Sequence, residues 1–326
     1  MPKRDVTAAR PAPRDASPLT AYRNWADEDD AATLYEDAAL TSLQSRALAY
    51  LDAGVPVHFR GPAGMGKTTL ALRVAERMDR PVSVITGDRW LNRGDIVGRT
   101  VGETSRKVDD TYIQSVRRTE TQTRSLWRDA PLATAMREGH VLIYDEFTRA
   151  SPEANATLLS ALEERVLVIA DPSADTVCLR AHPAFRVILT SNPQDYQGVL
   201  DAPDALLDRM VTFDVDAVSE ETERGVVAAR SGLDPRTAGR VVGLVRKLRA
   251  GGGPGLPPSM RTAILIARLL RAQSVTAEAD DPRFVQICLD VLRSRHGPAT
   301  PDTDRLLTAE IMMAQAAPAP VLEVAQ

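Results

Sequence analysis

The segment Gly61-Pro62-Ala63-Gly64-Met65-Gly66-Lys67-Thr68, with Thr69 after it, constrains the fold more than any other stretch of the chain. It matches the pattern G-x-x-x-x-G-K-[ST] and stands between an apolar run over 55–59 that reads as a strand and a helical pattern reaching Met78. Glycine lets backbone N–H groups wrap closely round phosphate oxygens, and the following helix N-terminus adds a positive pole. The segment is therefore expected to cradle a nucleotide's phosphates. Lys67 would reach the β- and γ-phosphates of ATP, and the Thr68 hydroxyl would hold Mg²⁺.

Further short apolar runs at 81–86, 141–144, 185–190 and 210–215 read as strands alternating with helices. That alternation predicts an α/β fold, a parallel five-stranded sheet between helices. The gap from 87 to 140 is longer than a crossover needs and predicts an insertion near 95–126. After 215 the strand pattern stops, and 219–231, 236–249, 260–273 and 283–295 read as helices, with a Gly-rich breaker at 251–255. Residues 1–30 and 317–326 lack periodicity and are expected to be disordered, although Asp27-Glu-Asp-Asp30 reads as a helix opening. The organisation expected is thus a nucleotide-binding domain over 31–217 and a small helical domain over 218–316.

Composition excludes some functions. The 326 residues carry 40 basic and 44 acidic side chains, a net charge of −4, which argues against a general nucleic-acid binder. The cluster Arg89, Arg93, Arg99, Arg106 and Lys107 reads as solvated loop charge. No apolar run approaches the roughly 20 residues a membrane-spanning helix needs, and the start does not read as a secretory signal. A soluble cytoplasmic protein is expected, with no membrane and no nucleic acid among its partners. His58, His140, His182 and His296 lack metal-ligand spacing, and Cys178 and Cys288 read as a buried, reduced pair.

Catalytic candidates lie at strand ends. Asp145-Glu146 closes the run Val141-Leu-Ile-Tyr144, where the crevice of an open parallel sheet receives its ligand. Asp145 would order Mg²⁺, and Glu146 would orient and deprotonate the attacking water. Asn192, ending Thr190-Ser-Asn192, would stand beside the same crevice and donate a hydrogen bond to water or γ-phosphate. Arg209, after Ala205-Leu-Leu-Asp208, and Arg261, after Pro257-Pro-Ser-Met260, are on their residues alone surface arginines.

The phosphate loop, Asp-Glu, Asn, Leu-Leu-Asp-Arg and Ser-Met-Arg in series resemble the MoxR branch of the AAA+ ATPases. Pro56-Val-His-Phe-Arg-Gly-Pro62, Leu142-Ile-Tyr-Asp-Glu-Phe-Thr-Arg149, Pro152-Glu-Ala-Asn155, Leu162-Glu-Glu-Arg165 and Thr190-Ser-Asn-Pro193 narrow it to a resemblance to the gas vesicle protein N family. Met65 departs from it, standing where relatives often carry Thr. The resemblance implies an ATP hydrolase with ATP between subunits of a ring, usually a hexamer. It implies Arg209 as a finger on the neighbour's ATP, Arg261 as the second sensor from a helical lid, and pore-lining or client-binding elements in the insertion. The role implied is chaperoning or remodelling gas vesicle shell or accessory proteins during assembly, with association with the vesicle left open. A MoxR-type chaperone for metal insertion or enzyme maturation, and an ATP-locked scaffold, stay open beside it.

Overall fold

The structure, a computed structural model, describes residues 38–110, 118–169, 177–192, 204–215, 218–251, 257–278 and 280–293, with a few positions after 304. The expectations for 1–30 and 317–326, including the helix opening at Asp27, fall outside the described residues.

In chain order the elements are α1 (Ala38–Asp52), β1 (Val57–Arg60), α2 (Lys67–Arg77), β2 (Val82–Thr86), a short α3 (Arg93–Ile96), β3 (Gly98–Asp110), β4 (Arg118–Asp129), α4 (Pro131–Glu138) and β5 (Val141–Asp145). A 3₁₀ turn over Phe147–Arg149 leads to α5 (Pro152–Glu163), β6 (Val166–Ile169), β7 (Val177–Arg180), β8 (Arg186–Ser191), a short α6 (Asp204–Leu207) and β9 (Val211–Asp214). After it the described residues delimit α7 (Glu220–Ser231), α8 (Pro235–Ala250), α9 (Met260–Ala272) and α10 (Pro282–Arg293).

The five strands read from the apolar runs form one sheet in the order β2-β5-β8-β1-β9, every pairing parallel. Side chains alternate across it. Val141 and Ile143 of β5 join Val57, Phe59 and Ile188 in a core beneath α1 and α2. Leu142 and Tyr144 face the other way, into a core with Val187, Leu189, Met136 of α4 and Leu158 of α5. Burial on both faces explains why these strands read as unbroken apolar runs. Helices α7 to α10 share a core of their own, with Val241, Val245, Ile266, Leu270 and Phe284 all buried. None of the described helices is long and apolar enough to cross a membrane.

The insertion holds a long antiparallel hairpin, β3 with β4, irregular between Thr100 and Gly102. A second hairpin pairs β6 with β7. Arg89, Arg93 and Arg99 are exposed, as read; Arg93 donates to the carbonyl of Val168 at 2.7 Å and Arg99 lies 3.9 Å from Asp95. The cysteine expectation needs correcting. Cys288 is buried on the inner face of α10, but Cys178 is exposed, because it lies on β7 in a two-stranded hairpin with no second layer over that side chain.

Candidate active site

Gly66 caps α2 with φ of 81°, and Gly64 has the same φ. Both lie in the left-handed region that glycine enters without strain. Gly61 is required for a different reason: a Cβ there would stand 2.2 Å from the carbonyl oxygen of Val215. On the opposite side, a Cβ on Gly64 would come 2.8 Å from Ser259 Oγ and 3.4 Å from Arg261 Cγ. The loop is thus held between the end of β9 and the start of α9. Lys67 is buried, and its Nζ donates to the carbonyl of Pro62 at 2.8 Å.

Asp145, last residue of β5, meets this loop directly. Its Oδ1 accepts from the Thr68 hydroxyl at 2.8 Å and from the Thr190 hydroxyl of β8 at 2.5 Å. Thr190 Oγ1 in turn accepts from the Glu146 N–H at 2.9 Å. Glu146 adopts φ of 54°, an uncommon backbone for a residue with a side chain, and strain of this kind gathers at functional sites. Gly87, after β2, permits the turn, since a Cβ there would lie 2.2 Å from the Glu146 carbonyl oxygen. The Glu146 carboxylate, 30% exposed, pairs with Arg149 at 2.8 Å.

These groups open onto one cavity of about 440 Å³. Ala63 to Leu70, Asp145, Glu146, Thr190 and Arg261 line it. The residues fit a nucleotide with its cation: two left-handed glycines and a buried lysine at a helix start suit a phosphate chain, and a hydroxyl 2.8 Å from a carboxylate suits a hard cation's ligand set. Of the expected site residues, Gly61, Pro62, Asn192 and Arg209 do not line the cavity. Asn192 is buried just beyond the end of β8. Arg209, following α6, pairs with Glu163 at 2.8 Å and also donates to the Ala205 carbonyl. That pairing raises the Arg209 pKa and lowers that of Glu163.

Residues 56–210 match the family described as AAA domain (dynein-related subfamily). The chain is 46% identical over 260 residues to the gas vesicle ATPase GvpN of Ancylobacter aquaticus, covering 80% of this chain and 73% of that one. It is 39% identical to the gas vesicle ATPase GvpN of Haloferax mediterranei, covering 80% and 74%. The chain belongs to the GvpN family of gas vesicle ATPases. As a member of that family, with an AAA domain, it is an ATP hydrolase. The crystal structure of NtrX from Brucella abortus superposes with a TM-score of 0.51 at 12% identity, covering 91% of this chain and 68% of that one, a likeness of fold alone.

Several site residues escape a reading of motifs. Thr190 reads as an ordinary β-former, and only pairing β5 with β8 brings it to Asp145. Arg149 carries a signal, standing three residues after Glu146. Arg268, Ile264 and Leu265 line the cavity with Arg261, and their spacing of three, four and seven on α9 marks one helix face.

Proposed function

We propose that this chain uses ATP hydrolysis to remodel or escort proteins while gas vesicles assemble and grow. The observation that carries the reading is the contact of Thr68 and Asp145 at the end of β5, beside a glycine loop built for phosphates.

Backbone N–H groups of the loop bind the phosphate chain, and Lys67 turns its ammonium from the Pro62 carbonyl to the β- and γ-phosphates. Thr68 and Asp145 would hold Mg²⁺, which would offset the charge on the phosphate oxygens. Glu146 orients the attacking water and accepts its proton as the γ-phosphoryl group leaves ADP. Asn192, buried just beyond β8 and outside the cavity's lining, would donate its hydrogen bond there only once its side chain turns toward the crevice. Arg261, against Gly64, senses the nucleotide from the helical lid over 218–316. Arg209 lies outside its own chain's cavity, which supports a role on a neighbour's ATP in a ring, a hexamer in the reading adopted here. The partners are gas vesicle shell or accessory proteins, whose exposed apolar surface needs timed capture and release.

Deleting the gene in a vesicle-forming cell tests this. Few or small vesicles are expected by electron microscopy, restored by the wild-type gene and not by Lys67→Ala, whose purified protein should bind ATP far more weakly in calorimetry. Full-sized vesicles in the deletion strain would overturn the assembly role.

A further inference from the structure

The cavity's lining is of two chemical kinds. The glycine loop, Lys67 and Asp145 supply charged and polar groups. Val215, Val218, Val226, Ile264 and Leu265 supply aliphatic ones. Helix α1 adds Leu40 and Gln44, one turn apart on one face. Gln44 is the anomaly. It is 3% exposed, and its Oε1 has no hydrogen-bond partner among the described residues.

A buried acceptor without a donor is a standing cost to the fold, and native structures rarely carry one without a reason. Here the atom belongs to a residue lining the cavity that receives a ligand. Aliphatic walls suit the flat faces of an aromatic base, so the missing donor has a natural source in the nucleotide. Arg73, Arg230 and Arg268, which also line the cavity, can only donate and so cannot accept from a base's amino group, and the Thr222 hydroxyl lies 2.7 Å from Ser219 Oγ.

We infer that Gln44 reads the base, its Oε1 accepting a hydrogen bond from the 6-amino group of adenine. The inference rests on the proposed seating of the phosphates along 63–69, because it assigns the base of the same nucleotide to another residue lining the same cavity. A purine without the 6-amino group leaves the acceptor unpaired, and binding suffers accordingly. Guanine is the poorer probe, since its 6-oxo group would be met by the amide's own NH₂ after a half-turn of the side chain.

The experiment is calorimetry on the full chain with two ligands, ATP and purine riboside triphosphate, which lacks only the amino group. The wild type should bind ATP about tenfold more tightly, the scale of one well-made polar contact to a base. Gln44→Leu, apolar and of similar size, should bind the two alike, and Gln44→Met should repeat the result on a second folded background. A preference for ATP that survives in both variants overturns the inference, even where both ligands bind more weakly, because α1 then only shapes the cavity. A wild type that binds neither nucleotide overturns the inference together with the seating beneath it.

Discussion

The sheet and the helical region each set a carboxylate in a polar network, and the two networks are built on opposite terms. Asp145 meets neutral hydroxyls, Thr68 and Thr190, at the edge of the cavity, with Glu146 beside it partly open to water. Glu223 of α7 is fully buried and bound by two guanidiniums, Arg246 at 2.9 Å and Arg249 at 2.7 Å. Those arginines also donate to the carbonyls of Val218 at 3.1 Å and Pro258 at 2.8 Å. Val218 enters α7 and Pro258 precedes the Ser259 that touches Gly64, so the Glu223 cluster ties both ends of the helical region that meet the cavity. A dry carboxylate between two arginines holds architecture. One that meets hydroxyls at an open crevice has the ligand chemistry a hard cation takes, the role proposed for it here.

The largest effects should come from groups serving the open site. Arg209→Ala is expected to bind ATP almost normally and to lose on the order of 10³–10⁵-fold in turnover, the scale of an arginine supplied across an interface. Mixing it with Lys67→Ala protein should recover part of the activity, since one interface type then contains both intact halves. No recovery in rings shown to be mixed would remove the action across subunits. Next comes Glu146→Gln, which keeps shape and loses the basic oxygen. Steady-state turnover should fall by about 10²–10⁴-fold with ATP still bound and thermal unfolding unchanged. Turnover within twofold of the wild type would break the contrast, leaving Glu146 with no more chemistry than Glu223.

How far the sequence discloses this molecule follows the same division. The five sheet strands are legible because burial on both faces makes them short, continuous apolar runs, and the structure shifts their ends by only one or two residues. The phosphate loop is legible because its glycines answer a demand of phosphate chemistry that few other contexts make. The hairpin of β3 and β4 is not. Its residues, from Gly98-Arg-Thr-Val-Gly-Glu-Thr-Ser onward, are polar and charged without the apolar alternation that marks a half-buried strand. Cys178 misleads because free cysteine is so often buried that its type outweighs its place on a small hairpin. Gln44 and Thr190 acquire meaning only from the elements packed against them. The nearness of Arg261 to Gly64 joins residues far apart in the chain, which no local pattern predicts.

Glu223→Ala reverses the profile of Glu146→Gln. It leaves two arginines facing a buried gap, and loss of one partner from a buried pair typically costs 3–5 kcal/mol. Arg246 and Arg249 are 31% and 23% exposed, so solvent screening favours the lower end, about 3 kcal/mol in urea unfolding. Glu223→Gln should lose less, since the amide oxygen still accepts. An Ala variant of wild-type stability with greatly reduced turnover would show the cluster to be part of the reaction.

The smallest effect is a pH dependence carried by His58, on β1, one strand in from the edge of the sheet. Its Nε2 lies 2.8 Å from Ser191 Oγ and its Nδ1 3.0 Å from Thr212 Oγ1, so the ring joins β1 to β8 and β9, with Phe147 packed edge-on at 5.3 Å. Burial lowers its pKa from 6.5 to about 4; Arg60 adds to the shift and Asp214 opposes it. The sign follows from proton uptake. Between pH 6.5 and 4 the unfolded chain carries the proton on this imidazole and the native sheet does not, so unfolding takes up a proton. This contribution is full above pH 6.5, falls as the pH drops through that window, and levels off below about 4. The steepest slope is about 1.4 kcal/mol per pH unit and the total about 3 kcal/mol. Urea unfolding of the wild type and His58→Gln from pH 4.5 to 7.5 isolates the term, because every other titrating group is common to both. The variant should be less stable at pH 7.5, and the gap should narrow as the pH falls. A gap that stays constant with pH would mean that His58 packs in the sheet without resisting protonation, and the acid sensitivity of this half of the molecule would lie elsewhere.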